Sequence, residues 1–454
     1  DLMRDRRKKT VILLQGLDTT RPEDRSPSLI QALRSWAHDS QVMTSESLII
    51  LLCGDLSRVL DDLTSDLVAL QRPALSSEYE RRETIEATAR VLGVDVSGSC
   101  GELARAAGGL SIHQLQSALV EAHHLDDDFR VERLKDLKSE LIKRSDLLEL
   151  EEPDSAGFDS VGGYDAVKRF IRDCVVQVLL DSERARVEKL ALPLPRGVLF
   201  FGPPGTGKTL FAKALAHGTN LPFINLRTEN LFSKYLGESG QRFRDAIRLA
   251  EQMSPAILFV DEIDRFGKRT KMGGSDGASE ESRRVFNQIL EWLGDQKRRS
   301  IIIGTTNRPQ DLDPAFLRPG RFDYKIPFLY PPPEARQRIL DIHLGRAGSK
   351  AKVALGFPEA DLQKVLARVV AETDGFSGAE IEQLVTRAKR NAFKGGRDHL
   401  VAEDFFAARK AFRIDMEQRA KDTRSYLSQA AEFTDDREFL EEVAQENRTE
   451  IDAL

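Results

Sequence analysis

Cysteine is scarce in this chain. Cys53, Cys100 and Cys174 are the three cysteines among 454 residues, and no two of them form a C-x-x-C pair. Scattered thiols of this kind argue against a disulfide framework and a cysteine-based zinc site, and they favour a reducing compartment, with the cytoplasm as the expected location. The H-E-x-x-H pattern of zinc proteases is missing as well.

Long apolar runs and excess charge of one sign are also missing. No apolar run approaches the roughly 18 to 20 residues that cross a bilayer, so no membrane span is expected. The formal net charge is only −6, and nucleic acid is therefore an unexpected main partner, because no global basic field attracts it. With 41% hydrophobic and 31% charged residues, the composition is typical of a globular protein.

The clearest motif that is present is a phosphate-binding loop. Residues 202–209 read G-P-P-G-T-G-K-T, and they lie between an apolar run and a helical pattern, the strand–loop–helix context that the motif needs. Backbone N–H groups and the helix dipole favour phosphate, while Lys208 offers positive charge and Thr209 a hydroxyl for Mg²⁺. The predicted contacts of a nucleoside triphosphate are Gly202, Pro203, Pro204, Gly205, Thr206, Gly207, Lys208, Thr209 and Leu210.

Two carboxylates follow the apolar run 256–260. We expect Asp261 to hold Mg²⁺, directly or through water, and Glu262 to polarise the attacking water. An exposed turn is the alternative interpretation of Asp-Glu after a strand, and a preceding phosphate loop makes it the weaker one.

Two further patterns point to the γ-phosphate. The run 300–304 leads through two threonines to Asn307, whose amide can hydrogen-bond the phosphate or the water, although a turn residue is the alternative. Arg318 and Arg321 flank Pro-Gly and are either surface charges or arginine fingers that reach the γ-phosphate of a neighbouring subunit.

These four elements, in this order, resemble those of the AAA+ ATPases, and specifically their AAA clade, from about Asp154 to Phe412. The resemblance implies an α/β fold, with a parallel-sheet large domain and a helical lid. It implies a ring or spiral, expected to be a hexamer, that uses ATP and Mg²⁺ to remodel, unfold or disassemble protein partners. It also implies that Asn307 is sensor 1 and that Arg318 and Arg321 are the arginine fingers.

The resemblance extends to the base and ribose of the nucleotide. Residues 158–163 resemble the segment that lines the adenine pocket, with Ser160 where many relatives carry Asp. Gly378-Ala379 begins the lid helix that approaches the nucleotide and replaces the sensor-2 arginine of other AAA+ proteins. The contacts implied on this side are Ser160, Val161, Gly162, Ile339, His343, Gly378 and Ala379.

A third group of residues resembles the first pore loop of the family, whose aromatic grips an extended polypeptide in a central channel. It comprises Lys234, Tyr235, Leu236 and Gly237. An exposed loop tyrosine is the alternative interpretation. The basic cluster 268–271 in the next loop matches a second pore loop and could instead touch nucleic acid, which is weak evidence on its own.

The first part of the chain repeats the order of the second without its chemistry. Residues 10–18 parallel 257–264, but they carry Gln15-Gly16 where the later copy has its two carboxylates, and residues 47–54 parallel 300–307. We interpret this as a degenerate AAA+ module that cannot hydrolyse nucleotide. Two unrelated α/β pieces are the alternative.

The expected organisation has six parts. They are a degenerate AAA-like α/β part (1–77), a lid-like helical part (78–130), a linker helix (131–153), the large ATPase domain (154–330), the lid (331–415) and a charged helical tail that faces solvent or a partner (416–454). Besides protein remodelling, the pattern leaves open an ATP-gated assembly factor or adaptor that threads nothing and, less favoured, a nucleic-acid remodeller.

Overall fold

The structure is a computed structural model. It describes residues 10–15, 27–44, 47–52, 76–108, 110–126, 129, 131–143, 145–152, 155–219, 221–230, 239–265, 277–295, 298, 300–318, 320–348, 350–434 and 436–447. The chain divides into two compact units, 1–74 and 75–454.

The first unit contains a two-stranded parallel sheet. Its elements are β1 (Val11–Gln15), α1 (Pro27–His38), α2 (Ser40–Thr44) and β2 (Leu48–Leu52). Val11 pairs with Leu48 and Gln15 with Leu52. Leu33 of α1 is buried against partly buried side chains of both strands. Parallel strands need a crossover connection, and here α1 supplies it.

The second unit begins with four helices around a common core. They are α3 (Glu78–Leu92), α4 (Cys100–Ala106), α5 (Ile112–Asp126) and α6 (Val131–Lys143). Ile85, Leu103, Leu115 and Leu134 are fully or almost fully buried in one cluster. The helix that the sequence suggests as a linker, α6, thus packs with the lid-like helices through Leu134.

The large domain is built on a six-stranded sheet. Its strands are β3 (Leu148–Glu151), β4 (Gly197–Phe201), β5 (Phe223–Leu226), β6 (Ile257–Val260), β7 (Ile301–Thr306) and β8 (Tyr324–Pro327), in the order β3-β5-β6-β7-β4-β8. All neighbours are parallel except β3 and β5. Every residue of β4, β6 and β7 is buried, as expected for parallel strands covered on both faces.

Helices cover both faces of this sheet. They are α7 (Asp165–Ile171), continued by a π turn (Arg172–Val176) into α8 (Gln177–Leu179), then α9 (Arg184–Lys189), α10 (Lys208–Thr219), α11 (Ser239–Gln252) and α12 (Gly277–Gly294). Successive strand residues serve opposite cores: Leu258 packs with α11 and α12, whereas Phe259 packs with α7 and α10. The predicted α/β architecture is confirmed.

A helical lid follows the sheet. It consists of α13 (Pro333–His343), α14 (Glu359–Glu372), α15 (Gly378–Lys394) and α16 (Ala402–Arg409). Leu340, Leu366, Ile381 and Phe405 are fully buried in its core. Among the described residues, no helix has the length and apolar character needed to cross a membrane.

The last two helices return to the large domain. They are α17 (Met416–Phe433) and α18 (Arg437–Glu446). Phe439 is buried and stacks on Phe170, with ring centroids 4.2 Å apart, and Glu446 Oε1 accepts a hydrogen bond from the Ala166 N–H at 2.6 Å. This packing corrects the expectation of a solvent- or partner-facing tail for residues 416–446, because spaced apolar side chains find a partner within the same chain.

Candidate nucleotide site

Sheet order brings three predicted site elements to one edge. Strands β6, β7 and β4 are adjacent and parallel, so their carboxyl ends meet where Asp261, Asn307 and Gly202 follow them. The carboxyl edge of parallel strands is where ligands bind in α/β sheets. The three motifs, read from distant parts of the sequence, therefore form one site.

The phosphate loop depends on glycine at its close approaches. A Cβ on Gly202 would lie 1.9 Å from the Phe328 carbonyl oxygen. Gly205 and Gly207 have φ of +75° and +89°, a left-handed conformation that residues with a Cβ rarely adopt. Side chains at these three positions would distort the loop, which explains the glycine spacing of the motif.

Lys208 lies buried beneath the loop. Its ammonium group donates hydrogen bonds to the carbonyl oxygens of Gly202 at 2.9 Å and Pro203 at 2.7 Å. Burial lowers the pKa of Lys208 to about 8, against the opposite effect of the Asp261 carboxylate. The cation is thus held beside the loop by backbone oxygens that a phosphate can replace as partners.

Thr305 links the two carboxylate residues to the neighbouring strand. Its hydroxyl accepts from the Glu262 N–H at 3.1 Å and donates to Asp261 Oδ1. Glu262 has a φ of +49°, rare for a residue with a side chain, and such strain is common at functional sites. Arg265 forms an ion pair with the half-exposed Glu262 carboxylate. The backbone therefore turns at the position proposed for the water-activating group.

Two further polar residues hold this edge, although the motifs alone did not identify them. The buried Thr306 hydroxyl donates to Asp264 Oδ1 at 2.7 Å. The Tyr164 hydroxyl lies 2.9 Å from the Thr206 carbonyl oxygen and 2.8 Å from that of Leu329. Burial raises the pKa of Tyr164, so it remains a donor. The only sequence signal for Tyr164 was its place directly after Gly162-Gly163.

The predicted base-side residues converge on the phosphate loop. A Cβ on Gly162 would lie 2.6 Å from Ile339 Cγ1, and one on Gly378 would lie 3.4 Å from the Gly205 carbonyl oxygen. The Ala379 N–H donates to that same Gly205 oxygen at 3.0 Å. The lid helix α15 thereby contacts the phosphate loop, and the lid helix α13 contacts the segment before α7.

Two predicted contacts on this side have other partners within the chain. Ser160 Oγ donates to the Gly157 carbonyl oxygen at 2.6 Å, so this side chain stabilises its own turn. The His343 Nδ1 lies 2.8 Å from Lys350 Nζ. Burial, together with the positive charge of Lys350, lowers the pKa of His343 to about 4, so the imidazole is neutral near pH 7 and can accept a hydrogen bond.

The two predicted arginine fingers lie at the other edge of the sheet. Arg321 lies just before β8, beside the first residue of β4. Two residues after Arg321, the Asp323 N–H donates to the Gly197 carbonyl oxygen at 2.9 Å. The five residues from Gly197 to Gly202 span roughly 16 Å at the usual rise of a strand. Arg318 is exposed, and Arg321 Nη1 donates to the Ala315 carbonyl oxygen at 2.5 Å. The sheet thus separates both arginines from the phosphate loop of their own chain.

Lys234, Tyr235, Leu236 and Gly237, and the basic cluster 268–271, lie outside the described residues. Their proposed contact with a polypeptide or a nucleic acid stays a prediction.

Oxygen donors at the edge of the sheet suit Mg²⁺. Thr209 and Asp261 supply a hydroxyl and a carboxylate, the kind of ligands that hard divalent cations prefer alongside phosphate oxygens and water. No cluster of three or more His, Cys, Asp or Glu side chains able to hold a metal occurs in the part of the chain that the structure describes. The hydroxyl of Thr209 and the carboxylate of Asp261, beside the phosphate loop, fit a cation that phosphate oxygens and water also coordinate.

Comparison with protein families identifies two segments. Residues 198–330 match the model of the ATPase family associated with various cellular activities (AAA). Residues 364–418 match the AAA+ lid domain. The first segment holds the phosphate loop, both carboxylates, Asn307 and both arginines.

Curated relatives align over the second part of the chain. Proteasome-activating nucleotidase 2 of Halobacterium salinarum is 38% identical over 282 residues, covering 62% of this chain and 65% of the relative. The ATP-dependent zinc metalloprotease FtsH of Acidothermus cellulolyticus is 40% identical over 254 residues, covering 56% of this chain and 36% of the relative. The aligned region therefore spans less than two thirds of either relative.

Solved structures of similar fold include the FIGL-1 AAA domain. Its crystal structure matches with a TM-score of 0.52 and 25% identity, covering 65% of this chain and 95% of that one. The same domain in complex with ADP matches with a TM-score of 0.52, 26% identity and coverage of 65% and 97%.

Proposed function

Because residues 198–330 form an AAA ATPase domain and residues 364–418 belong to its lid, we propose that the whole chain is an ATPase that works as a ring or spiral. We expect a hexamer that couples hydrolysis of ATP to ADP and phosphate with the remodelling or unfolding of protein partners. The assembled carboxyl edge of β6, β7 and β4 supports the chemistry, and the remote position of Arg318 and Arg321 supports the oligomer.

The residues at the edge divide the work of hydrolysis. Lys208 and the loop N–H groups bind the β- and γ-phosphates, and Glu262 orients and polarises the attacking water. Mg²⁺, held by Thr209 and Asp261, would neutralise charge on the phosphates. Asn307, at the end of β7, would contact the γ-phosphate or the water.

Separation of the arginines from their own loop carries the oligomer proposal. The backbone beside Arg321 lies roughly 16 Å from Gly202 along β4, and we infer that its guanidinium does not reach a γ-phosphate bound at Gly202–Thr209 of the same chain. In a head-to-tail interface, however, the same arginine meets the loop of the next subunit. Each copy of the chain then supplies the phosphate loop of one site and the arginines of the neighbouring site.

A complementation experiment tests this arrangement. Arg321→Ala and Lys208→Ala should each abolish ATPase activity alone. In a 1:1 mixture, activity should return to about a quarter of the wild-type level, the share of interfaces that combine an intact loop with an intact arginine in a randomly mixed ring. Mixing Lys208→Ala with Glu262→Gln is the control, because both changes lie on the loop side and cannot complement. A mixture of Arg321→Ala and Lys208→Ala that stays inactive would refute the shared site.

A protein substrate is the favoured client. The aligned relatives are named as an activator of proteasomes and as a protease, and Lys234-Tyr235-Leu236-Gly237 carries an aromatic in a charged loop. We expect Tyr235→Ala to keep ATPase activity and to stop unfolding of a bound protein, while Tyr235→Phe keeps both. Unimpaired unfolding by Tyr235→Ala would favour the adaptor alternative, in which nucleotide state controls binding and nothing is threaded.

We further propose that the chain up to about residue 130 is a degenerate AAA+ module. β1 and β2 are parallel neighbours, as β6 and β7 are, and they pair in the register expected from the sequence parallel. Gln15 and Gly16 replace both carboxylates. Calorimetry should therefore find one nucleotide per chain at saturation and none in Lys208→Ala. A second bound nucleotide would overturn the proposal.

A further inference from the structure

Helix α17 contacts the strand end that carries Asn307. The Tyr426 hydroxyl donates a hydrogen bond of 2.7 Å to the Asn307 carbonyl oxygen, across 119 residues of sequence. Burial raises the pKa of Tyr426 to about 12, so the hydroxyl keeps its proton throughout the neutral range. This bond acts on the backbone of Asn307 and leaves its side-chain amide available for the site.

The same helix contacts the start of the lid helix α15. Arg419 Nη2 forms an ion pair of 2.7 Å with Glu380 Oε1, and Arg419 also donates to the Tyr330 hydroxyl. The other oxygen of Glu380, Oε2, accepts from the Ser377 N–H at 2.7 Å and so caps α15. Both charged side chains are about three-quarters buried, which reduces solvent screening of the pair.

The two contacts share one face of α17. Arg419 and Tyr426 are seven residues apart, close to two turns of an α-helix. About two turns beyond Tyr426, the chain reaches Phe433, whose ring packs edge-on against Phe201, with centroids 5.8 Å apart. Phe201 is the residue directly before Gly202. A single rigid element therefore contacts the sensor strand, the lid helix and the base of the phosphate loop.

We propose that α17 is a positioning brace for the ATP site, in which Tyr426 sets the position of Asn307 and Arg419 sets the start of α15 against the phosphate loop. Arg419 acts through Glu380 and Ser377 on the helix whose Ala379 N–H donates to the Gly205 carbonyl oxygen. Both side chains act on the site through other residues of the chain. The inference rests on the proposed ATPase function and adds how the lid and the sensor are kept in register.

The two contacts have separable kinetic consequences. Tyr426→Phe removes one hydroxyl and one hydrogen bond, so we expect kcat to fall about five-fold with an ATP KM within two-fold of wild type. Arg419→Gln removes the ion pair to the lid, so we expect ATP and ADP to bind about five- to ten-fold more weakly. Arg419→Lys keeps the charge and should recover most of the affinity.

Thr434→Val is the matched control. It deletes a hydrogen bond of 2.8 Å from the Thr434 hydroxyl to the Lys325 carbonyl oxygen, directly after α17 and away from both contacts. We expect kcat and KM of this variant to match wild type even if its melting temperature falls slightly. Melting temperatures of all variants distinguish a loss of positioning from a loss of folded protein.

The outcomes distinguish failure of the brace from failure of the proposed ATPase function. A wild-type kcat in Tyr426→Phe together with wild-type nucleotide affinity in Arg419→Gln would overturn the brace and leave the ATPase assignment intact. The proposed function would instead be overturned if the wild-type protein hydrolysed no ATP. It would also be overturned if the Glu262→Gln variant hydrolysed ATP as fast as the wild type. Equal kinetic losses in Tyr426→Phe and Thr434→Val would show that α17 acts through general stability alone, and would also refute the brace.

Discussion

The lid α13–α16 and the earlier helices α3–α6 have corresponding internal contacts. In the lid, the buried Arg336 donates to the carbonyl oxygens of Pro331 at 3.0 Å and Val370 at 3.5 Å. In the earlier helices, Arg81 donates to the carbonyl oxygens of Ser76 and, at 2.7 Å, Ala104. In each region, the first acceptor lies five residues before the arginine. The second acceptor lies in the next helix, two residues before its end.

The third helix of each region begins in a corresponding way. Ser377 caps α15 in a reciprocal pair with Glu380, and Ser111 forms the same pair with Gln114 before α5, at 2.9 and 3.1 Å. The residue before each serine, Phe376 or Leu110, is fully buried. These shared contacts concern the packing of four helices, and they are preserved.

The two regions differ at the positions predicted to face the nucleotide. Aligned on their arginines, Ile339 and His343 of the lid correspond to Thr84 and Thr88. Aligned on their capping serines, Gly378-Ala379 corresponds to Ile112-His113. The packing of four helices is therefore shared by two regions that differ at the positions predicted to contact the nucleotide.

The largest expected effect concerns the carboxylate that the proposed degenerate module lacks. Glu262→Gln removes the group that polarises water and should lower kcat about 10³-fold while ATP still binds. Gln15→Ala, at the position corresponding to Asp261, should leave kcat unchanged. Steady-state ATPase assays on both variants measure the contrast. A fall in kcat for Gln15→Ala would contradict the proposal that all hydrolysis occurs at the site of Lys208 and Glu262.

Exchange of the helix starts should have the next largest effect. Placing the Ile-His of the first region into the lid, as Gly378→Ile with Ala379→His, puts a branched side chain against the Gly205 carbonyl oxygen. We expect nucleotide affinity to fall about 50-fold, or roughly 2.3 kcal/mol. The reciprocal change, Ile112→Gly with His113→Ala, should leave affinity unchanged in calorimetry. Equal affinities of wild type and the lid variant would rule out close contact between α15 and the loop.

Removal of the shared arginine tests the similarity directly. Each of Arg336→Ala and Arg81→Ala leaves two backbone carbonyls without their donor, so unfolding free energy should fall by about 2 kcal/mol in both. Only Arg336→Ala should also weaken ATP binding. Denaturant unfolding measures the loss of stability, and calorimetry measures ATP binding. If Arg81→Ala proved as stable as the wild type, the two arginines would not have corresponding roles.

The smallest effect is a pH dependence confined to the lid. The folded-state pKa of His343, about 4, lies below the ordinary value near 6.5. The unfolded chain therefore binds the proton more readily, and stability is lost as pH falls from about 6.5 towards 4. Between pH 7 and 6 we expect a loss of about 0.7 kcal/mol that His343→Gln reduces, whereas Thr88→Ala, at the corresponding position, leaves it unchanged. An identical pH profile for His343→Gln and wild type would exclude His343 as its source.

The structure brings the phosphate loop, Asp261-Glu262 and Asn307 to one edge of the sheet, as the motifs predict, and their roles in hydrolysis stay predictions. The phosphate loop and the Asp261-Glu262 pair each consist of adjacent residues whose chemistry needs only a strand end. The tail 416–446 shows where this reasoning stops, because a charged helix can bury its apolar residues against a distant strand. The nucleotide contact of Ser160, whose hydroxyl bonds within its own turn, stays a prediction. Tyr164 and Tyr426 were missed for the same reason, since each acts on a backbone oxygen far along the chain.

Residue order alone determined the α/β class, the glycine-dependent loop and the absence of both carboxylates at Gln15-Gly16. These properties are local, because φ angles, charge and hydrogen-bonding capacity belong to the residues themselves. Tertiary structure alone decided that Arg321 lies at the opposite edge of the sheet from Gly202, and that Arg419 and Tyr426 hold the lid and the sensor strand. Such relations depend on strand order and helix packing, which bring together residues whose separation along the chain carries no sign of their contact.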